Sequence, residues 1–250
     1  KKNPSAAIAY DSRIKSDLFA KNAAQVLAAN GIKAYIYPEL MPTPSLSFAV
    51  RHLGCDAGIC VTASHNPAKY NGYKVYGEDG CQITLDMANK VLEQINTVDA
   101  FEDVKLISFE EGLSSGRIEY MQEEVVDAFI KAVKSQSLNP VKSNLNVVYT
   151  PLNGTGRRCV LRILDEIGVH NITVVPEQEN PDGNFPTCPY PNPEKKEALE
   201  LGLELCKKAN GDILLATDPD CDRVGIAAKD KKGDYRLFTG NEVGVLLLDY

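Results

Sequence analysis

No apolar run in this 250-residue chain approaches the roughly 18 residues that a bilayer-spanning helix needs, so no membrane partner is expected. Positive charge is not in excess either: 27 Lys and Arg stand against 34 Asp and Glu, a formal net charge of -7. A nucleic-acid surface carries the opposite sign, so no nucleic-acid partner is expected. An anionic small molecule stays open, because a few placed basic groups outvote net charge locally. The seven cysteines (Cys55, Cys60, Cys81, Cys159, Cys188, Cys206 and Cys221) never form a C-x-x-C pair. An odd number at irregular spacing argues against a disulfide framework and against a zinc cluster, and for a reducing, cytoplasmic location. The apolar part of the opening KKNPSAAIAY is too short for a signal peptide.

What is present is an ordinary globular composition, 44% hydrophobic and 24% charged. The length suits one large domain or two of ordinary size. AAIAYDSR reads as a strand running into a polar loop. In SDLFAKNAAQVLAANG, Leu18, Ala23, Val26 and Leu27 recur at helical spacing, with Ser16 or Asp17 as cap and Gly31 at the end. Strand IKAYIYPE, the proline-started helix PTPSLSFAVRHLG and strand DAGICVTAS follow. Asn71-Gly72 signals a tight turn, and YKVYGEDG leads into another. TLDMANKVLEQINTV, capped by Thr84, and EEVVDAFIKAVKSQSL, with Val125, Phe129, Ala132 and Val133, complete the first half. The polar stretch KSQSLNPVKSNL places a boundary at residue 138.

The plan then repeats: LNVVYTPLNGTG as strand and Gly-rich loop, helix RRCVLRILDEIG, strand ITVVPEQ, a Pro-rich loop and helix KKEALELGLELCKKANG. DILLATDPDCDRVGIAAKD then gives strand, acidic loop and strand. Tyr10 to Pro38 spans 28 positions and Tyr149 to Pro176 spans 27. Alternating strands and helices imply two similar α/β domains with parallel sheets. The alignment of GICVTAS with DILLATD puts Ser64 and Asp218 at equivalent carboxyl ends of strands, the edge where open α/β sheets bind ligands.

Two loops carry chemistry. In DPDCDR, Asp218, Asp220 and Asp222 alternate after a buried strand. Crowded carboxylates repel one another unless a cation joins them, and hard oxygen donors suit Mg²⁺ or Ca²⁺; a solvated acidic turn is the plainer alternative. The offsets do not fit an EF-hand. A strand-end Asp-x-Asp also suggests a haloacid-dehalogenase-type phosphatase, although Cys221 stands where that pattern has Thr or Val. In TASHNP, Ser64 beside His65 lacks the G-x-S-x-G frame of a nucleophile elbow. Their side chains, adjacent in sequence, need not meet, so a catalytic triad is not expected. An Asn-Pro turn with helpful hydroxyls is the structural alternative.

TASHNP followed by YNGYK, with DPDCDR further on, resembles the α-D-phosphohexomutases, the phosphoglucomutase and phosphomannomutase superfamily. YDSR, PTP, DGNFP, PNPE and TGNEVGVLL match in the family's order, and together the motifs span essentially the whole chain. The finer likeness is to bacterial phosphoglucomutases. The resemblance implies two three-layer α/β domains with mixed, mostly parallel sheets: 1–138 bearing a phosphoserine, 139–240 bearing the metal loop, and 241–250 beginning a third domain. It implies that Ser64 carries a phosphoryl group, that Asp218, Asp220 and Asp222 hold Mg²⁺ with an oxygen of that phosphoserine, and that hexose 1- and 6-phosphates interconvert through a bisphosphate. Glucose is the expected sugar and glucose 1,6-bisphosphate the activator; mannose, glucosamine and pentose phosphates are alternatives. Arg13, Arg223 and Asn66 match phosphate-binding positions, Lys74 the acid/base and His65 its support. Taken alone, Arg13 reads as a helix-flanking charge, Lys74 as an exposed strand lysine and His65 as a loop-positioning residue.

The sequence departs from the family pattern in two ways. The metal loop often reads D-G-D-G-D-R, and here Pro219 and Cys221 fill the spacers; Cys221 is either oxidation-sensitive or an inert small side chain. The sugar-reading G-E-x-S-G and phosphate-binding R-x-S-G-T loops are not found, so the remaining mutase domains are expected to be missing and the chain to turn over little alone. A metal-dependent phosphatase and a non-enzymatic metal- or sugar-phosphate-binding module remain as competitors.

Overall fold

The opening apolar run forms β1 (Ser5–Tyr10), buried from Ala6 onward, as suits a strand covered on both faces. In the computed structural model, which describes residues 3–138 and 144–250, it lies at the centre of one of two five-stranded sheets. The chain divides into two compact units, Lys1–Tyr10 with Lys15–Thr62 and Gly72–Phe129, and Asp11–Ile14 with Ala63–Asn71 and Ile130–Tyr250. The boundary expected after residue 138 falls on residues 139–143, which lie outside the described residues.

In the first unit α1 (Ser16–Ala29), β2 (Lys33–Ile36), α2 (Thr43–His52), β3 (Ala57–Val61) and β4 (Tyr73–Gly77) follow β1. Then come α3 (Leu85–Ile95), α4 (Phe109–Ser114), β5 (Ile118–Tyr120) and α5 (Glu123–Lys134), the last running on into the second unit. The strand order is β4-β3-β1-β2-β5, parallel throughout except for β3 against β4.

Alanine sets how α1 is seated. The helix buries Ala20, Ala24 and Ala28, four residues apart, against Ile8, Ile36 and Val61. Leu18, expected in the apolar stripe, is 47% exposed. Small side chains let a helix approach a sheet closely, so the contact stripe follows size as well as hydropathy. The cap also differs from expectation: Lys15, at φ 66°, is the N-cap, and no side chain closes the first turn. Gly31, at φ 76°, does end the helix in the left-handed conformation that favours glycine. Thr84 caps α3, accepting from the Met87 N–H at 3.4 Å. Asn71-Gly72 makes no tight turn. The Gly72 carbonyl accepts from the Thr62 N–H at 3.0 Å and lengthens the β3–β4 ladder, so the connection is the longer loop 63–71.

The second unit holds β6 (Val147–Thr150), α6 (Gly156–Glu166), β7 (Ile172–Val174), α7 (Lys196–Ala209), β8 (Ile213–Thr217), β9 (Val224–Lys229), β10 (Tyr235–Phe238) and α8 (Gly240–Asp249). Its sheet order is β10-β9-β8-β6-β7. The run β9-β8-β6-β7 reproduces β4-β3-β1-β2 in order and direction, two parallel pairs and one antiparallel. The sequence repeat therefore has a structural counterpart. The fifth strand differs: β5 adds in parallel beside β2, and β10 antiparallel beside β9. Val148, Leu199, Leu214, Ala216 and Ala227 form the core of this sheet. Among the described residues no helix is long and apolar enough to cross a membrane.

Candidate active site

The loop after β8 is held largely by its own atoms. Asp218, the first residue past the strand, is fully buried, and its Oδ1 accepts from the backbone N–H groups of Asp222 (3.1 Å) and Arg223 (3.0 Å). The Cys221 N–H closes a turn on the Asp218 carbonyl at 2.9 Å. This folding-back brings one carboxylate oxygen each from Asp218, Asp220 and Asp222 within 4.8 Å of one another. Burial, followed by the charges of Asp220 and Asp222, pushes the Asp218 carboxyl up to about 8. Burial and like charge thus hold Asp218 towards its neutral form, and three hard oxygen donors this close fit a divalent cation such as Mg²⁺. Cys221 stands at φ 56°, the left-handed conformation for which glycine is the easy residue. Burial pushes its thiol well up, so it stays protonated at neutral pH, the inert form of a cysteine.

The neighbouring β6–α6 loop fixes this one from outside. The Thr155 N–H donates to the Pro219 carbonyl at 2.8 Å, and the buried Tyr149 hydroxyl meets Thr217 Oγ1 at 2.9 Å. A Cβ on Gly154 would lie 2.4 Å from Pro219 Cα, so only glycine allows the two backbones to approach this closely.

Residues 63–71 pack in the second unit although β3 and β4, which they join, belong to the first. Ser64 stands at φ 53°, a conformation L residues rarely adopt, inside a turn closed by the Asn66 N–H on the Ala63 carbonyl (3.1 Å). The turn aims the Ser64 hydroxyl at the acidic loop: Oγ donates to Asp218 Oδ2 at 3.1 Å. His65 Nδ1 lies 3.3 Å from the same Oγ, so the two side chains do meet, which their adjacency in sequence had left open. Burial, then the Arg223 charge, lowers the His65 pKa, leaving a neutral imidazole at neutral pH. The aspartate here bonds the serine hydroxyl, which is not the triad order of aspartate to histidine to serine.

Arg13 lies beneath this loop with a side chain that is 0% exposed. Its Nη1 donates to the carbonyls of Pro67 and Tyr70, both at 3.0 Å, and its Nη2 to those of Ser64 and Asn66. Its Nε faces Asp11 at 3.2 Å, and the Phe185 ring centroid lies 5.1 Å from its Cζ. Arg223 is oriented differently. Its Nε is 4.0 Å from Asp218 Oδ2 and its side chain is 39% exposed, so the guanidinium remains accessible. Asn66 enters the arrangement through its backbone. Lys74 lies half-buried on β4 of the first unit, opposite Cys60.

All eight residues gathered here were expected in the site: Arg13, Ser64, His65, Asn66, Asp218, Asp220, Asp222 and Arg223. Asp11, Gly154 and Phe185 were missed; DGNFP was legible as a motif, but nothing in it disclosed a partner.

Two doubly wound α/β units, with a strained serine hydroxyl presented to a carboxylate triad and an accessible arginine, define a protein of the phosphohexomutase type. Residues 1–102 match the α/β/α domain I of phosphoglucomutase/phosphomannomutase and residues 125–233 its domain II. The chain belongs to the phosphoglucomutase/phosphomannomutase family. It is 41% identical over 244 residues to a phosphoglucomutase of Staphylococcus saprophyticus, an alignment covering 98% of this chain and 44% of that one. It is 38% identical over 251 residues to a Haemophilus influenzae protein named "Probable phosphomannomutase", covering 98% and 50%. A crystal structure of a phosphoglucomutase/phosphomannomutase family protein from Burkholderia thailandensis shares the fold, with a TM-score of 0.70 at 24% identity over 93% of this chain and 47% of that one. The chain thus spans about half the length of the curated relatives it matches.

Proposed function

We propose that this chain carries the phosphoryl-transfer half of a hexose phosphate mutase, with Ser64 as phosphoryl carrier and glucose as the sugar. The observation that carries the reading is the Ser64 hydroxyl at 3.1 Å from Asp218, within a triad of carboxylates whose oxygens lie within 4.8 Å of one another. Ser64 Oγ forms a bond to phosphorus of a sugar bisphosphate such as glucose 1,6-bisphosphate, and the bond from phosphorus to the sugar oxygen breaks. The hydroxyl proton leaves as the sugar oxygen gains one. Lys74 serves as acid/base and His65, neutral and in contact with Oγ, as its support. Reversal with the other phosphoryl exchanges hexose 1- and 6-phosphates. Mg²⁺, held by Asp218, Asp220, Asp222 and an oxygen of the phosphoserine, would supply charge neutralisation and orientation. Arg223 is placed to fork onto a phosphate, as arginine does elsewhere. The names of the relatives include both glucose and mannose enzymes, so phosphomannomutase is the second reading of the substrate. Residues 1–250 alone are expected to turn over little.

Intact mass spectrometry with peptide mapping tests the carrier. Incubation with Mg²⁺ and glucose 1,6-bisphosphate should add roughly 80 Da, one phosphoryl group, to the Ser64 peptide and nothing to Ser64→Ala. A folded protein that gains no mass, whether as residues 1–250 or within a chain of the relatives' length, refutes the reading.

A further inference from the structure

Arginine has five N–H donors. In this chain the four Nη donors of Arg13 go to the carbonyls of Pro67, Tyr70, Ser64 and Asn66, and the fifth, on Nε, is buried at 3.2 Å from Asp11. With every Nη donor spent and the side chain 0% exposed, the guanidinium presents no accessible donor to a phosphate. We propose that Arg13 is a positioning residue that clamps the Ser64 loop through its carbonyls, and that the DGNFP segment, through Phe185 and Gly183, holds the clamp in place. The clamp itself stands on geometry alone; its consequence for transfer rests on Ser64 being the phosphoryl carrier.

Three observations support the role. Carbonyls turned inward need donors, because a buried backbone acceptor left unmade is costly. Loop 63–71 turns four of its carbonyls towards one guanidinium, which sets the curvature that keeps Ser64 at φ 53°. Phe185 is 1% exposed and itself left-handed at φ 47°, so the surrounding structure imposes its position, and its ring faces the guanidinium. Gly183 lies so close to the backbone of Ser12–Ile14 that a Cβ there would be 2.6 Å from both the Ser12 carbonyl and the Ile14 nitrogen. The DGNFP segment is thus seated on the Arg13 segment by main chain and by ring together.

The test compares Arg13→Lys and Phe185→Leu with the unaltered chain by hydrogen exchange. Lysine keeps the charge but has three donors from one atom and cannot span four carbonyls. Leucine keeps an apolar filler but has no ring face. Both should speed exchange at the Asn66 and Tyr70 amides by about tenfold or more, as loss of charge-assisted hydrogen bonds predicts. Amides of β6 and β8 should keep their protection, and Mn²⁺ affinity should stay within about twofold, the triad being held by its own loop. In Ser64 loading the maximal rate should fall while the half-saturating bisphosphate concentration holds; a phosphate ligand would raise that concentration instead. Unchanged exchange at Asn66 and Tyr70 in both variants overturns the clamp. Loss of β8 protection in both also overturns it, since Arg13 and Phe185 would then be general core. If the unaltered chain takes up no phosphoryl group, the carrier reading fails, while the exchange data still decide the clamp.

Discussion

The loops after β3 and β8 occupy equivalent places in one repeated strand plan, yet they are held in opposite ways. The loop after β8 is short and folds on itself: Asp218 accepts from the N–H groups of Asp222 and Arg223, four and five residues on. The loop after β3 is longer and is organised by residues remote in sequence, Arg13 and Phe185. A self-closing turn can carry ligands whose spacing is written into consecutive residues. An open loop that must present one hydroxyl at a strained φ needs an external template. The first arrangement concentrates like charges that a bound cation would balance; the second concentrates carbonyl dipoles and carries its own cation in Arg13.

Breaking each loop separates the two contributions. The largest effect is expected from Ser64→Ala, which should abolish phosphoryl uptake on that peptide, as read by mass spectrometry. Asp218→Asn keeps the acceptor for the loop N–H groups but removes one charge. It should weaken Mn²⁺ binding more than about tenfold and raise the melting temperature measured in EDTA; a lower melting temperature would contradict the repulsion argument. The pH dependence of the metal-free protein follows from the same group. Folded Asp218 keeps its proton up to about 8, whereas an unfolded aspartate releases it near the ordinary carboxylate value. The native state therefore binds more protons between those limits, and stability should fall as pH rises from about 4 to about 8, by on the order of 1 kcal/mol per pH unit. Denaturant titrations in EDTA read the slope, and Asp218→Asn should flatten it. Gly154→Ala pushes a Cβ into the Pro219 backbone and should cost about 2–3 kcal/mol. The smallest effect sharpens the account of strain at the other loop. Ser64→Gly should be more stable than Ser64→Ala by about 1 kcal/mol, because only glycine sits at φ 53° without penalty.

What was legible in the sequence was local or periodic. Strand runs, the α3 cap at Thr84, the repeat and the two polar loops each depend on residues close to one another along the chain. Leu18 misled because hydropathy does not report how closely a helix must approach a sheet; Ala20, Ala24 and Ala28 do. Asn71-Gly72 misled because a turn signal is overridden when a ladder continues past it. The short α4 and β5 offer too few residues for a period to show. The Arg13 arrangement was beyond reach for another reason. Its acceptors are main-chain carbonyls, which every residue has, so no side-chain identity at 64, 66, 67 or 70 announces them. The contact between Ser64 and His65 was left open because adjacency in sequence says little about a left-handed turn.

Since Gly183 and Phe185 seat Arg13 from far along the chain, the serine loop cannot take its final shape while only the first unit has been synthesised. On a translating ribosome the strands around β1 have their partners early, but residues 63–71 must wait for the second unit to fold. Closure over so long a span is entropically late. The Ser64 hydroxyl thus reaches its position beside Asp218 late in synthesis; if Ser64 is the carrier proposed above, an unfinished chain would not yet be loaded.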